Sequence, residues 1–367
     1  MNDILFYLLR CVVNAQPLDR ILMSGITPKD WGVLFDVAQK QGVSAVVFGH
    51  VQTLPKEVAP PKEILVKWYS QTMYIERQLK KRFALSADFA AKMAEHEIPV
   101  VVLKGLAFAV NYPNPLSREC GDLDCYMMGK AKEGDGIVKV IGGTMEDGGY
   151  KHAHLYYEGL TIENHYFLTD FDKTPRGIYT ERYLQRLIGG EQRKLKGTHL
   201  LSPCADFNAL FLIKHAQRHF IEEGINLRHL LDWAFFLKKE QDNVNWDQLL
   251  PEMEKCWLLR MAQVLTELCV EKFGVEVTVD ALRIPAADKK GHQLVIQVMD
   301  DIMGGHPDIF KENFLQKCFR ILRRFVRMWR FRDLADETYL TLVWNTFAFS
   351  SYLNRKVELE ALAIEKV

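Results

Sequence analysis

Asp122 and Asp124 stand two residues apart in the stretch Gly121-Asp122-Leu123-Asp124-Cys125-Tyr126-Met127. Acid alternates with apolar residue, which reads as a strand. Successive strand side chains point to opposite faces, so the two carboxylates share one face. Two ionised carboxylates held ~4 Å apart repel by roughly 1 to 4 kcal/mol, depending on the local dielectric. A site that keeps such a pair together usually holds a cation. Mg²⁺ suits it, because that ion takes a few carboxylates and completes its shell with water and substrate phosphates. Phosphoryl transfer at two metals calls for a third acid. Glu163 is the candidate, in Thr161-Ile162-Glu163-Asn164-His165-Tyr166-Phe167-Leu168, an apolar-rich strand where a charge is costly without a partner. Period-two spacing puts His165 on the face of Glu163, where it positions an acceptor, orients a carboxylate or simply fills the core.

A second set of candidates is helical. His215 and His219 are four apart and share a helix face. Ala216, Gln217 and Arg218 fill the gap between them, so the Glu of a HExxH zinc motif is missing. The pair is read as lining a cleft opposite the sheet, or as plain structural polar residues. Lys214, Arg218, Arg228 and Asp232 are cleft candidates of the same kind. Lys317 to Arg332 reads KCFRILRRFVRMWRFR, seven basic residues and no acid, with Phe319, Leu322, Val326 and Trp329 at helical spacing. The plain reading is a surface helix whose long basic stems pair with acids elsewhere. The sharper readings are a patch for phosphates, RNA or an acidic partner, or a membrane surface. The glycines at 134, 136, 142, 143, 148 and 149 form neither GxxxxGK[ST] nor GxGxxG and are read as turns and a helix end.

These residues need elements to hold them. Val100 to Leu103 is a β-branched run after Pro99, a buried strand closed by Gly105. Leu106 to Tyr112 reads as a short helix halted by Pro113-Asn114-Pro115. Asp122 to Met127 is the second strand, Ile137 to about Asp147 a helix closed by Gly148-Gly149, and His152 to Tyr157 with Leu160 to Leu168 a hairpin turned at Glu158-Gly159. On either side the pattern is helical. Thr27-Pro28 starts a helix through Gln41, with Trp31, Leu34, Phe35 and Ala38 on one face. A long helix runs from Pro60-Pro61 to about Glu95. Asp206 to Phe220, Leu227 to Lys239, Trp246 to Phe273, His292 to Met303 and Asn313 to Asp333 follow. The expected fold is α+β: a small mixed sheet over 99–190, embedded between a helical region at 1–98 and another at 191–367.

Composition narrows the function classes. The chain has 367 residues, with 47 Lys plus Arg against 47 Asp plus Glu. A balanced charge gives no global pull toward nucleic acid or membrane, so any charged partner is met by a local patch. Seven cysteines at scattered spacings, without a CxxC, argue against a disulfide framework or a structural zinc site. The start, MNDILFYLLRCVV, carries Asp3 and Arg10 within its apolar stretch and reads as an amphipathic helix. Reduced thiols and the lack of an apolar run near ~18 residues point to a soluble cytoplasmic protein.

Val101-Val102-Leu103-Lys104-Gly105-Leu106-Ala107, then Tyr112-Pro113, Arg118 and Gly121-Asp122-Leu123-Asp124, resembles the uncharacterised nucleotidyltransferase family of the polymerase-β-like superfamily. Ile162-Glu163-Asn164-His165 resembles that family's acid-x-His strand. Leu212 to His219 and Leu230-Leu231-Asp232-Trp233-Ala234 are similar to its helical region. The resemblance runs from about residue 30 to about residue 240. It implies transfer of a nucleoside monophosphate from an NTP to an acceptor hydroxyl, with Mg²⁺ (or Mn²⁺) held by Asp122, Asp124 and Glu163. Backbone N–H groups around Gly105 would then cradle phosphate oxygens, and Lys104 or Arg118 would neutralise charge on the leaving pyrophosphate. Leu106 follows Gly105 where the superfamily has Gly or Ser, and Glu163 stands where Asp is usual. Two further expectations follow: a nucleotide- or partner-binding protein of the same fold without catalysis, and an RNA-directed transferase using the basic C-terminal helix.

Overall fold

The computed structural model describes residues 1–147, 151–169, 174–304, 314–341 and 343–344. Five helices come first: α1 (Asn2–Val13), α2 (Arg20–Ser24), α3 (Pro28–Lys40), α4 (Ser44–Val51) and α5 (Lys62–Glu95). Thr27 caps α3 as expected: its hydroxyl accepts from the Asp30 N–H, and the Asp30 carboxylate accepts from the Thr27 N–H. Trp31, Leu34, Phe35 and Ala38 are all buried. On α1, Leu5, Leu8, Leu9 and Val12 are buried, one stripe of an amphipathic helix.

The sheet is built from β1 (Val100–Val102), α6 (Leu106–Ala109), β2 (Leu123–Tyr126), α7 (Ala131–Val140), β3 (Thr144–Asp147), β4 (His152–Tyr157), β5 (Leu160–His165), α8 (Pro175–Ile188), β6 (Gln192–Lys194) and β7 (Leu200–Pro203). Its seven strands lie in the order β3-β4-β5-β2-β1-β7-β6. The β2/β5 and β1/β7 pairs are parallel, and the other pairs are antiparallel. The architecture is α+β. The β4–β5 hairpin turns on Glu158 and Gly159, both at positive φ, as a two-residue loop that follows the sheet's twist requires.

Three features depart from the expectations. The helix placed over Ile137 to Asp147 lies earlier, at α7, and the chain then turns at Gly142 into edge strand β3. Its expected stop, Gly148-Gly149, lies outside the described residues. Gly134 and Gly136 are not turns but sit inside α7. A Cβ on Gly134 would meet the Met127 Sδ at 2.1 Å, so this glycine lets the helix lie directly on the sheet. The single helix read over Trp246 to Phe273 is broken at Trp257, whose φ is +56°, a conformation no helix continues through.

The remaining helices are α9 (Ala205–Glu222), α10 (Leu227–Glu240), α11 (Trp246–Lys255), α12 (Leu259–Leu268), α13 (Lys289–Gly304) and α14 (Phe314–Arg330). One apolar core joins α1, α3, α4 and the helices from α8 onward to the face of the sheet that carries Val101, Leu103 and Tyr126. A second core packs α5 and α7 on the opposite face, against Val100, Val102, Leu123, Cys125, Leu155 and Ile162. On α14 two arginine stems turn inward. Arg327 makes a bidentate pair with Asp301 at 2.5 and 2.6 Å, and Arg324 meets Glu222 at 2.8 Å. Leu322, Val326 and Trp329 are exposed. The plain reading of that helix, long basic stems pairing with acids elsewhere, therefore describes Arg324 and Arg327. Cys11, Cys120, Cys125, Cys204, Cys256 and Cys269 are free thiols. Among those residues no helix is long and apolar enough to cross a membrane.

Candidate functional site

The strand register brings the acids together. Asp124 on β2 lies beside Glu163 on parallel β5, and Tyr126 lies beside His165. Alternation puts Asp124, Glu163 and His165 on one face, while Leu123, Cys125 and Ile162 fill the core on the other. Asn164, on that other face, donates to the Ala131 carbonyl and to Asp135, tying β5 to α7.

Asp124 is 2% exposed, yet it is not alone. The Lys104 Nζ lies 2.9 Å from its Oδ1. His165 Nε2 lies 3.2 Å from the same oxygen and 3.5 Å from Glu163 Oε2, while His165 Nδ1 faces the Phe167 carbonyl at 3.2 Å. Burial alone would raise the Asp124 pKa, but Lys104 and His165 outweigh it and hold the carboxyl well below the usual range. Burial likewise works against charge on His165 and Lys104. The carboxylates win in both cases and raise both pKa values. The His165 hydrogen bond lowers Glu163, against burial and Asp124. Asp122 behaves differently: burial and the Asp124 charge raise it, and Lys104 offsets that only in part. Its carboxyl is the one most relieved by an added cation.

Asp124, Glu163 and His165 offer ligand atoms within 4.8 Å of one another, a set that could hold a metal ion. Two of its three donors are carboxylates, which fits a hard divalent cation; Asp122 lies just before β2 and is not in that set. The Lys104 ammonium and the His165 imidazole both meet the Asp124 carboxylate.

Gly105 adopts φ 60° and ψ −105°, and a Cβ there would lie 2.8 Å from the Cys120 Sγ. Only glycine takes this conformation without strain. Gly105→Ala is expected to cost about 1–3 kcal/mol in a urea melt. A melt that superimposes on the wild type would show that the turn relaxes freely.

The other sequence candidates divide into groups. Arg118 is 4% exposed and forks onto Asp232, Nε to Oδ1 at 2.8 Å and Nη2 to Oδ2 at 2.7 Å. The Tyr112 hydroxyl donates to the same Asp232 at 2.7 Å. This buried knot fastens the β1–β2 connection to α10. Lys214 pairs with Asp336, and Arg218 with Glu222 at 2.5 Å. Arg228 donates to the Glu119 carbonyl at 3.1 Å and lines an open pocket of about 370 Å³ beside Lys40, Glu119 and Gly121. Burial, then the Lys104 charge, lowers the pKa of both His215 and His219.

Three histidines of this region are absent from the sequence-level candidates. His229 on α10 closes a triangle with His215 and His219, ring centroids 6.1 and 5.8 Å away. His152 and His154 stand on β4 opposite His165 and Glu163. The period-two spacing of the last pair was a usable signal, because it places both on the face of an adjacent acid strand.

A mixed sheet in which Asp-x-Asp leads into β2 beside the parallel acid strand β5, after a Lys-Gly turn, is the α+β arrangement expected, except that Asp122 lies just before the strand. The chain belongs to the family described as uncharacterised nucleotidyltransferase, whose profile matches residues 27–274. No curated protein and no solved structure matches the chain.

Proposed function

We propose that the chain transfers a nucleoside monophosphate from an NTP to the hydroxyl of a small-molecule or protein acceptor, using Mg²⁺ (or Mn²⁺) held by Asp122, Asp124 and Glu163. The observation that carries this reading is the in-register pairing of Asp124 with Glu163 on parallel strands, with Lys104 on the same oxygen cluster. A bound divalent ion would neutralise phosphate charge and lower the acceptor hydroxyl's pKa. Lys104, at the 23%-exposed edge of the cluster, would meet the triphosphate and stabilise the departing pyrophosphate. Gly105 would let the backbone approach the phosphates closely. His165 orients Asp124 and Glu163 through its shared Nε2. The Arg118–Asp232 knot holds the acid-bearing connection in place rather than touching substrate. His215 and His219 would line the acceptor side.

The test is a thermal melt with each NTP, with and without Mg²⁺ or Mn²⁺, followed by a pyrophosphate-release assay. A ligand at 100 times its dissociation constant should add about 2.7 kcal/mol. Asp122→Asn should lose the metal-dependent stabilisation and the release. Retained release in that variant would sink the assignment. A second reading, nucleotide binding without catalysis, is favoured by Lys104 and His165 already occupying Asp124. It is the outcome if stabilisation occurs and no pyrophosphate appears with any acceptor tried.

A further inference from the structure

His152 and His154 take no part in the site as described, although they lie against it. The β4–β5 register sets His154 opposite Glu163 and His152 opposite His165. The two imidazoles meet edge to face, centroids 4.7 Å apart, and their Nε2 atoms converge to 3.3 Å. Ligand atoms of His152, His154 and Glu163 all lie within 4.8 Å of one another. The 3.3 Å separation is informative. Around a tetrahedral zinc with Zn–N bonds of about 2.0–2.1 Å, two nitrogens stand about 3.3–3.4 Å apart. An octahedral shell with the same bond length would bring them to about 2.9 Å. Imidazole nitrogen also selects zinc-like transition metals over Mg²⁺, which prefers oxygen.

We infer that His152, His154 and Glu163 form a site for a zinc-type transition-metal dication, next to the Asp122/Asp124 carboxylates and sharing Glu163 with them. Three protein donors leave the fourth position of the tetrahedron for a water or a substrate oxygen. The two sites differ in donor chemistry: imidazole on the β4 side, carboxylate on the β2 side. The inference stands on the register and the converging nitrogens and does not rest on nucleotidyl transfer.

The experiment uses the full chain stripped with a chelator and dialysed. Zn²⁺ is titrated against a chromophoric competitor, and Co²⁺ is added separately to read the coordination geometry. The wild type should bind one tight Zn²⁺ equivalent and, with Co²⁺, show the strong visible absorption of a tetrahedral ion. His154→Ala and His152→Ala should each weaken Zn²⁺ by at least about 100-fold, the upper end of what losing even an outer partner of a metal ligand costs. Each should also lose the tetrahedral Co²⁺ band while keeping the wild-type circular dichroism. Asp122→Asn should keep both. Zn²⁺ affinity unchanged in both histidine variants, a weak octahedral Co²⁺ spectrum in the wild type, or loss of Zn²⁺ in Asp122→Asn alone would overturn the site. A chain inert toward every NTP that still binds Zn²⁺ through His154 would leave it standing.

Discussion

Asp124→Asn is expected to abolish metal-dependent nucleotide transfer and to lower stability by about 3 kcal/mol in urea, the lower end of what breaking a buried pair costs. Both effects come from one carboxylate. It is 2% exposed and faces Lys104 at 2.9 Å and His165 at 3.2 Å. An amide removes the charge that Lys104 and His165 share and takes from Lys104 its nearest carboxylate. Asp122→Asn separates the two effects. That carboxyl is raised by burial and by Asp124, so neutralising it relieves repulsion. Activity should vanish while the melting temperature stays equal or rises. Equal losses of stability in the two variants would contradict this division of labour.

The pH dependence follows with opposite signs. The Asp124 pKa is depressed in the fold. Its contribution to stability is present above the ordinary unfolded value, about 3.9, and is lost as the pH falls toward the depressed one. The His165 pKa is raised. Its contribution is complete below the unfolded value, about 6.5, and is lost as the pH rises through the folded one. Wild-type stability minus that of Asp124→Asn should therefore shrink at both ends. A difference that stays flat from acid to alkaline pH would remove Asp124 and His165 as the linked pair.

The second large effect lies away from the acids. Arg118→Ala should destabilise the chain by about 3–5 kcal/mol, because it takes the guanidinium from the buried Asp232, which keeps the Tyr112 hydroxyl. Asp232→Asn should cost a similar amount. Replacing both, Arg118→Met with Asp232→Leu, should recover most of the loss, since a buried ion pair exchanged for packed apolar groups is often nearly neutral. The double-mutant cycle then gives a coupling of several kcal/mol. Single-variant losses below about 1 kcal/mol would mean that water reaches the pair and that it behaves as a surface salt bridge.

Much of the scaffold was readable because its signals are local. Thr27-Pro28 and Asp30 mark a capped helix start within four residues, and Glu158-Gly159 marks a hairpin whose strands flank it directly. Asp124 and Glu163 were readable as strand residues for the same reason: each sits in a short strand with its own alternation. What escaped the sequence is nonlocal. β6 and β7 are short and partly polar, and β7 becomes a strand by pairing with β1, Val100 with Leu200. Gly134 reads as a breaker until Met127 lies beneath it. Arg118 was made a candidate for the charge of the leaving pyrophosphate by the family resemblance. Its partner Asp232 lies 114 positions on, beyond the reach of any spacing argument. His152 and His154 were visible as a pattern, but only the β4–β5 register shows which acid they face.

The parallel pairing of β1 with β7 also bears on how the chain is made. Val100 leaves the ribosome 100 residues ahead of Leu200, the residue it pairs with. At about 5–20 residues per second, that is a wait of roughly 5–20 s. Until then β1 has only β2 on one side, and its other row of backbone N–H and C=O groups is an open edge able to pair with another chain. A fragment ended near residue 190 would keep that edge open permanently. The acid strands could be complete in such a fragment, yet its solubility would fail first.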